Sequence, residues 1–211
     1  MSLAALRSDP KSACMRNVYR TGPRPGSFDG GGAMVEGGRC RIEADEISGG
    51  VFDLEAEESA LGSDYYFPWK RTGVGWVKVP KNAPDGTIVL TGGVNGCSIV
   101  VSENLNDYCF YHDGDSKYLH PHMIAGNEVA RVRPKDYDPL GWDHNQFQRM
   151  LEEGAKKGIQ PKGDVSYGHF VVAVKKGGRF GFYVTGLISF NGYTKLPARL
   201  STCIVTFGDD D

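Results

Sequence analysis

The chain has little that would tie it to a membrane, a nucleic acid or an oxidising compartment. No apolar run approaches the roughly 18 residues of a spanning helix. Basic and acidic residues nearly balance, 24 against 26, for a formal net charge of −2. With no obviously basic face, neither nucleic acid nor a membrane surface is expected as a partner. Cys14, Cys40, Cys97, Cys109 and Cys203 are an odd number of cysteines at wide, irregular spacing, and no Cys-x-x-Cys pair occurs. That argues against a disulfide framework and against structural zinc, so a reducing compartment is expected. Met1 to Ala13 is a poor signal peptide, because its apolar stretch is short and is followed by Arg7 and Asp9. Export would need a specialised route or a parent polypeptide. No internal repeat is visible.

Glycine is what the chain has in excess. There are 29 glycines in 211 residues, about twice the usual share, beside many β-branched and aromatic residues. Short strands joined by tight turns follow from that mixture, and the length suits one domain. Residues 1–38, rich in Gly, Pro and Arg, read as an irregular leader with one short helix near Ala4, and 39–211 as a single domain. Strands are expected at Arg39–Ile47, Val51–Ala56, Val74–Val79, Thr87–Thr91, Ser98–Ser102, Tyr108–His112, Gly168–Val174, Phe180–Phe190 and Leu200–Phe207. The continuous runs at Phe170–Val174 and Cys203–Val205 predict central strands covered on both faces. Residues 114–140 lack a period and read as a surface excursion. One helix is expected, capped by Asp143, with Phe147, Met150, Leu151 and Ala155 on one face and Gly158 ending it. The fold class is α+β and β-rich, a central mixed β-sandwich with few peripheral helices.

Reaction chemistry can be argued at one place. Cys97 ends Thr91-Gly92-Gly93-Val94-Asn95-Gly96-Cys97, a turn with little side-chain bulk that should leave the sulfur accessible. His112 closes the next predicted strand. Adjacent antiparallel strands can bring a thiol and an imidazole together, so that the base generates a nucleophilic thiolate. Phe110 and His112 should share one face of their strand and Cys109 and Tyr111 the other. By the same alternation Asp113 should point away from His112. The competing reading makes Cys97 a packed core thiol, as Cys109 and Cys203 are expected to be. His120-Pro121-His122 has metal-compatible spacing, but no third ligand follows at ligand spacing, so a surface loop is expected. His144 and His169 read as structural, and the aromatics around Trp69 as core.

Three elements together resemble a known family. Phe67-Pro68-Trp69-Lys70, Asn95-Gly96-Cys97-Ser98 and Tyr111-His112 resemble the bacterial glutamine deamidase toxins, namely the cytotoxic necrotizing factor catalytic domain and the Burkholderia lethal factor. The toxins carry Leu-Ser-Gly-Cys where this chain has Val94-Asn95-Gly96-Cys97. The Cys-to-His spacing is similar to that of the necrotizing factor, and Thr91, six positions before the cysteine, is similar to a threonine of the lethal factor. The resemblance covers about residues 65–113. It implies a secreted bacterial protein that acts in the host cytosol as a monomer without metal or cofactor. The reaction would hydrolyse a glutamine side-chain amide of a host protein, such as a Rho-type GTPase or a translation-initiation helicase. Cys97, His112 and Thr91 would be catalytic, with the backbone N–H groups of the turn at Asn95, Gly96 and Cys97, together with the Thr91 or Asn95 side chain, stabilising the oxyanion. A cysteine protease, a transglutaminase and a non-enzymatic β-sandwich binding module remain as alternatives.

Overall fold

The computed structural model describes residues 2–196 and 203–208. Helices α1 (Ser2–Ser8) and α2 (Pro10–Arg16) come first. Strands β1 (Val18–Pro23), β2 (Met34–Glu36), β3 (Gly38–Ser48), β4 (Val51–Glu58), β5 (Asp64–Phe67), β6 (Val74–Pro80) and β7 (Ile88–Thr91) follow, then β8 (Ser98–Glu103), β9 (Asp107–Asp113) and β10 (Asn127–Val132). After α3 (Pro134–Tyr137) and α4 (Trp142–Lys156), the chain forms β11 (Ser166–Lys176), β12 (Arg179–Ser189), β13 (Tyr193–Lys195) and β14 (Cys203–Phe207).

The strands make two sheets. The larger, mixed sheet runs β1-β4-β3-β5-β7-β11-β12-β13, with β14 also on β12, and the smaller runs β10-β8-β9-β6-β2. Their facing sides form the main core. Phe67, Val89, Val171, Phe180 and Phe182 of the larger sheet pack on Val77, Ile99, Val101 and Phe110 of the smaller. The fold is therefore the expected β-rich sandwich with few helices. Phe110 lies at its centre, with ring centroids of Phe67, Phe180, Phe182 and Phe207 within 5.6–6.1 Å.

The N-terminal leader is a correction. Residues 1–38 hold two helices and two strands, and Leu6, Ala13, Cys14 and Tyr19 are buried on the outer side of the larger sheet. Arg7 makes two hydrogen bonds, 2.7 and 2.5 Å, to the carboxylate of buried Asp64, which also accepts from the Ile88 N–H. Asp9 caps α2 through the Ser12 N–H with Pro10 in the first turn, a helix-start pattern hidden by the Gly-Pro-Arg composition around it. β1 pairs in parallel with β4, and its Tyr19 N–H donates to Thr185 of β12.

Three further expectations change. Residues 114–140 are not a bare excursion, because β10 pairs with β8 and Val132 and Tyr137 are buried. Asp143 does not cap its helix. Gly141 precedes α4 at φ 67°, and Asp143 turns inward to His169, while Gly154 and not Ala155 completes the buried face. The Cys203–Val205 run is no central strand, since among the described residues β14 pairs with β12 alone. Leu200 to Thr202 lie outside the described residues.

Candidate functional site

β8 and β9 are an antiparallel hairpin in which Ile99 stands opposite His112 and Ser98 opposite Asp113. Cys97 lies just before β8 and packs in the same core cluster as Ile99, the residue opposite His112. Cys97, Ile99 and Phe110 all enter the intersheet core, while Val100, Cys109 and Tyr111 pack on the opposite side. Asp113 points away from His112 and accepts from the Tyr118 and Leu119 N–H groups at 2.7 and 3.0 Å.

Thr91 orients the imidazole. Its hydroxyl lies 2.7 Å from the Phe67 carbonyl and 2.7 Å from His112 Nδ1. A hydroxyl has one proton, and the carbonyl can only accept. The threonine therefore donates to Phe67 and accepts from His112, which must carry its proton on Nδ1. Nε2 is left as the basic nitrogen, buried and without a hydrogen-bond partner. Nearby, Gly75 stands opposite His112 on β6, and a Cβ there would fall on the Pro68 carbonyl oxygen. The absent side chain is what lets the Pro68–Trp69 segment approach. Gly75→Ala is expected to destabilise by roughly 1–3 kcal/mol, as overpacking does, measured by urea unfolding.

The turn around Cys97 is fixed from several sides. The Cys97 N–H donates to Val94 O at 2.9 Å, and Gly96 takes φ 80°, a left-handed conformation suited to glycine. Tyr137 Oη meets both the Val94 carbonyl and, at 2.9 Å, the Cys97 carbonyl. The Ser116 hydroxyl donates to Gly96 O at 3.0 Å. Asn95 accepts from the His169 N–H and meets His169 Nδ1, and its amide donates to Tyr167 O at 2.6 Å. His169 Nε2 in turn lies 3.3 Å from the Asp143 carboxylate, both side chains being fully buried. Tyr137→Phe removes the hydroxyl from two buried carbonyls and is expected to cost about 1–3 kcal/mol, read from the denaturation midpoint.

These bonds revise the oxyanion assignment. The Asn95 amide is committed to β11, the Thr91 hydroxyl to Phe67 and His112, and the Cys97 N–H to its own turn. The thiol is also not accessible, because Cys97 is only 2 % exposed and His112 is fully buried. Cys97 Sγ makes a long 3.8 Å contact with Asn95 O and no hydrogen bond with His112. Burial pushes the Cys97 thiol up, partly opposed by the Asp115 backbone N–H and the Trp69 indole N–H, both of which favour thiolate. Burial also drives His112 down to about 3. The resting pair is therefore neutral thiol and neutral imidazole.

Trp69 is another correction. Tyr65, Tyr66 and Phe67 are core, but Trp69 is 47 % exposed beyond the end of β5. His120 and His122 stack on each other at 5.7 Å, both exposed. Among the described residues no three His, Cys, Asp or Glu side chains form a metal-holding group. The Asp143–His169–Asn95 chain was invisible in the sequence, since its members stand 26 and 74 residues apart and carry no shared motif.

Residues 71–144 match the family model of the Mcf1 activator-binding domain. The match takes in β6 to β10, α3, Cys97 and His112, a little over a third of the chain, and leaves out Phe67, Trp69 and His169. No curated protein matches the chain.

Proposed function

We propose that the chain is a cysteine-dependent hydrolase that converts a glutamine side-chain amide of a host protein to glutamate. The observation that carries this reading is the Thr91–His112 pair, which leaves a basic Nε2 without a partner on the face that Cys97 shares. Such an arrangement of base and orienting group is what thiol activation requires. In the reaction, Nε2 takes the thiol proton as Sγ attacks the amide carbon. The tetrahedral intermediate collapses as the same proton passes to the leaving nitrogen, so that ammonia departs and a thioester remains. Water then attacks the thioester, giving a proton to Nε2, and collapse returns that proton to sulfur with release of glutamate. In a protease the amide would be a backbone one, and in a transglutaminase an amine would replace water. The resemblance to the deamidase toxins supports the side-chain amide, the host-protein substrate and a bacterial origin with action in the host cytosol.

A second reading is a binding module in which Cys97 is packed. The description of the matched family as a domain that binds an activator, and the 2 % exposure of Cys97, favour it. Mass spectrometry of host lysate treated with wild type and with Cys97→Ser separates the two. The hydrolase reading expects ammonia release and amide-to-acid conversion at a defined glutamine, with wild type only. Identical lysates together with stable capture of a host protein by both forms would establish the binding module instead.

A further inference from the structure

The buried thiol poses a problem of access, and the structure around Trp69 addresses it. A groove of about 460 Å3 opens between β1 and the β11–β12 hairpin, within the roughly 300–1,000 Å3 of ligand sites. Its end nearest the Cys97 turn is formed by Trp69, Gly93 and Asn95. A second hollow of about 300 Å3, lined by Phe28, Asp29 and Lys70, also has Trp69 in its wall. Trp69 thus belongs to the walls of both cavities, its indole N–H reaches the Cys97 thiol, and its Cβ lies 3.1 Å from where a Gly92 side chain would begin. It sits on the irregular segment between β5 and β6, and half of its surface faces solvent.

The groove also carries charge. Arg20 is paired with Asp53 at 3.0 Å, so Glu55 and Asp164 leave it with two negative charges in excess. Phe170 and Leu187 give it an apolar floor. We propose that this groove receives an extended segment of the substrate protein with a basic residue beside the target glutamine, and that Trp69 is the movable cover through which the glutamine side chain reaches Cys97. The inference rests on the hydrolase reading and adds to it a substrate class and a gate. Displacing the indole admits water and substrate together, which relieves the burial that keeps thiol and imidazole neutral. The segment's backbone lies along Gly22 and Gly93, where no side chain obstructs it. The flanking basic residue approaches Glu55 and Asp164.

Two measurements test this without relying on turnover. The first is alkylation of Cys97 by iodoacetamide, followed by mass spectrometry of its peptide. An open state populated at roughly 0.1–10 % makes the cover rate-limiting, so Trp69→Ala should speed labelling about tenfold or more. Trp69→Phe, which keeps a ring beside Gly92 but loses the indole N–H that favours thiolate, should label no faster than wild type. Cys14, Cys40 and Cys109, each fully buried, report on global unfolding and should remain unlabelled. An unchanged Cys97 rate in Trp69→Ala, or equal labelling of all four thiols, overturns the gate. The second is calorimetric titration of the Cys97→Ser protein, with Trp69 intact, by the peptides Ala-Arg-Gln-Gly-Ala and Ala-Glu-Gln-Gly-Ala. The arginine peptide should bind about tenfold more tightly, and Glu55→Gln with Asp164→Asn should erase that preference. Equal binding, no binding, or a preference that survives the double change overturns the groove assignment. Should both measurements succeed while host lysate shows no deamidation, the hydrolase reading alone falls.

Discussion

On the proposed hydrolase reading, His112→Ala should lower the rate of glutamine deamidation by about 100- to 10,000-fold, the range associated with a general acid–base. The imidazole is asked to do two jobs, taking the thiol proton and delivering it to ammonia. Thr91→Val keeps shape but replaces the hydroxyl that fixes the Nδ1–H tautomer. It should leave a partial activity, between wild type and His112→Ala, because a misdirected imidazole still visits the right orientation. Cys97→Ser should abolish turnover, since a hydroxyl is far less ionised than a thiol at neutral pH. Combining Cys97→Ser with His112→Ala should cost no more than the serine change alone, because the two residues act as one unit. Rates are measured as ammonia release from the substrate found in host lysate. Near-wild-type turnover in His112→Ala would mean that the two side chains do not cooperate, and full activity in Thr91→Val would detach the threonine from the mechanism.

Local patterns carried most of what could be read from the sequence. The β8–β9 hairpin, with His112 and Phe110 on one face and Cys109 on the other, follows from period-two alternation alone. The same alternation correctly turned Asp113 away from the imidazole. The continuous apolar run of β11 marked it as an inner strand, and β7 and β12 do cover both its edges. What failed depended on long-range contact. Asp64 and Arg7 lie 57 residues apart, and their pairing, with the burial of Leu6 and Tyr19 and the β1–β4 pairing, orders a Gly- and Pro-rich start. The exposure of Cys97 was misjudged because glycines describe the turn and say nothing of what folds over it. Here Trp69 and the Asp115 N–H reach the sulfur and Ser116 bonds to Gly96 O, with Asp115 and Ser116 both at positive φ, 50° and 56°. Resemblance singles out Thr91 as a catalytic residue but not as the group that orients His112, since nothing in its neighbourhood announces a carbonyl at Phe67 on a parallel strand.

Acidification should destabilise the protein well before its carboxylates are protonated in bulk. His112 is fully buried and its pKa falls to about 3, whereas in the unfolded chain it returns to its ordinary value near 6.5. A group whose folded pKa is depressed because its charged form is disfavoured favours the native state above the unfolded pKa. As pH drops below 6.5 the unfolded chain binds a proton that the folded chain refuses, so stability is lost down to about pH 3. Each refused proton is worth about 1.4 kcal/mol per pH unit, so His112 alone should account for about 3 kcal/mol between pH 7 and pH 4. His169 is lowered as well, burial outweighing the opposing pull of Asp143, and acts in the same direction. The check is urea unfolding at pH 7 and pH 4 for wild type and His112→Asn. The variant starts less stable, having lost its bond to Thr91, but its pH dependence should be shallower by one proton. Parallel curves would show that His112 is protonated in the folded protein, which requires a hydrated or charge-paired imidazole and hence an open site at rest.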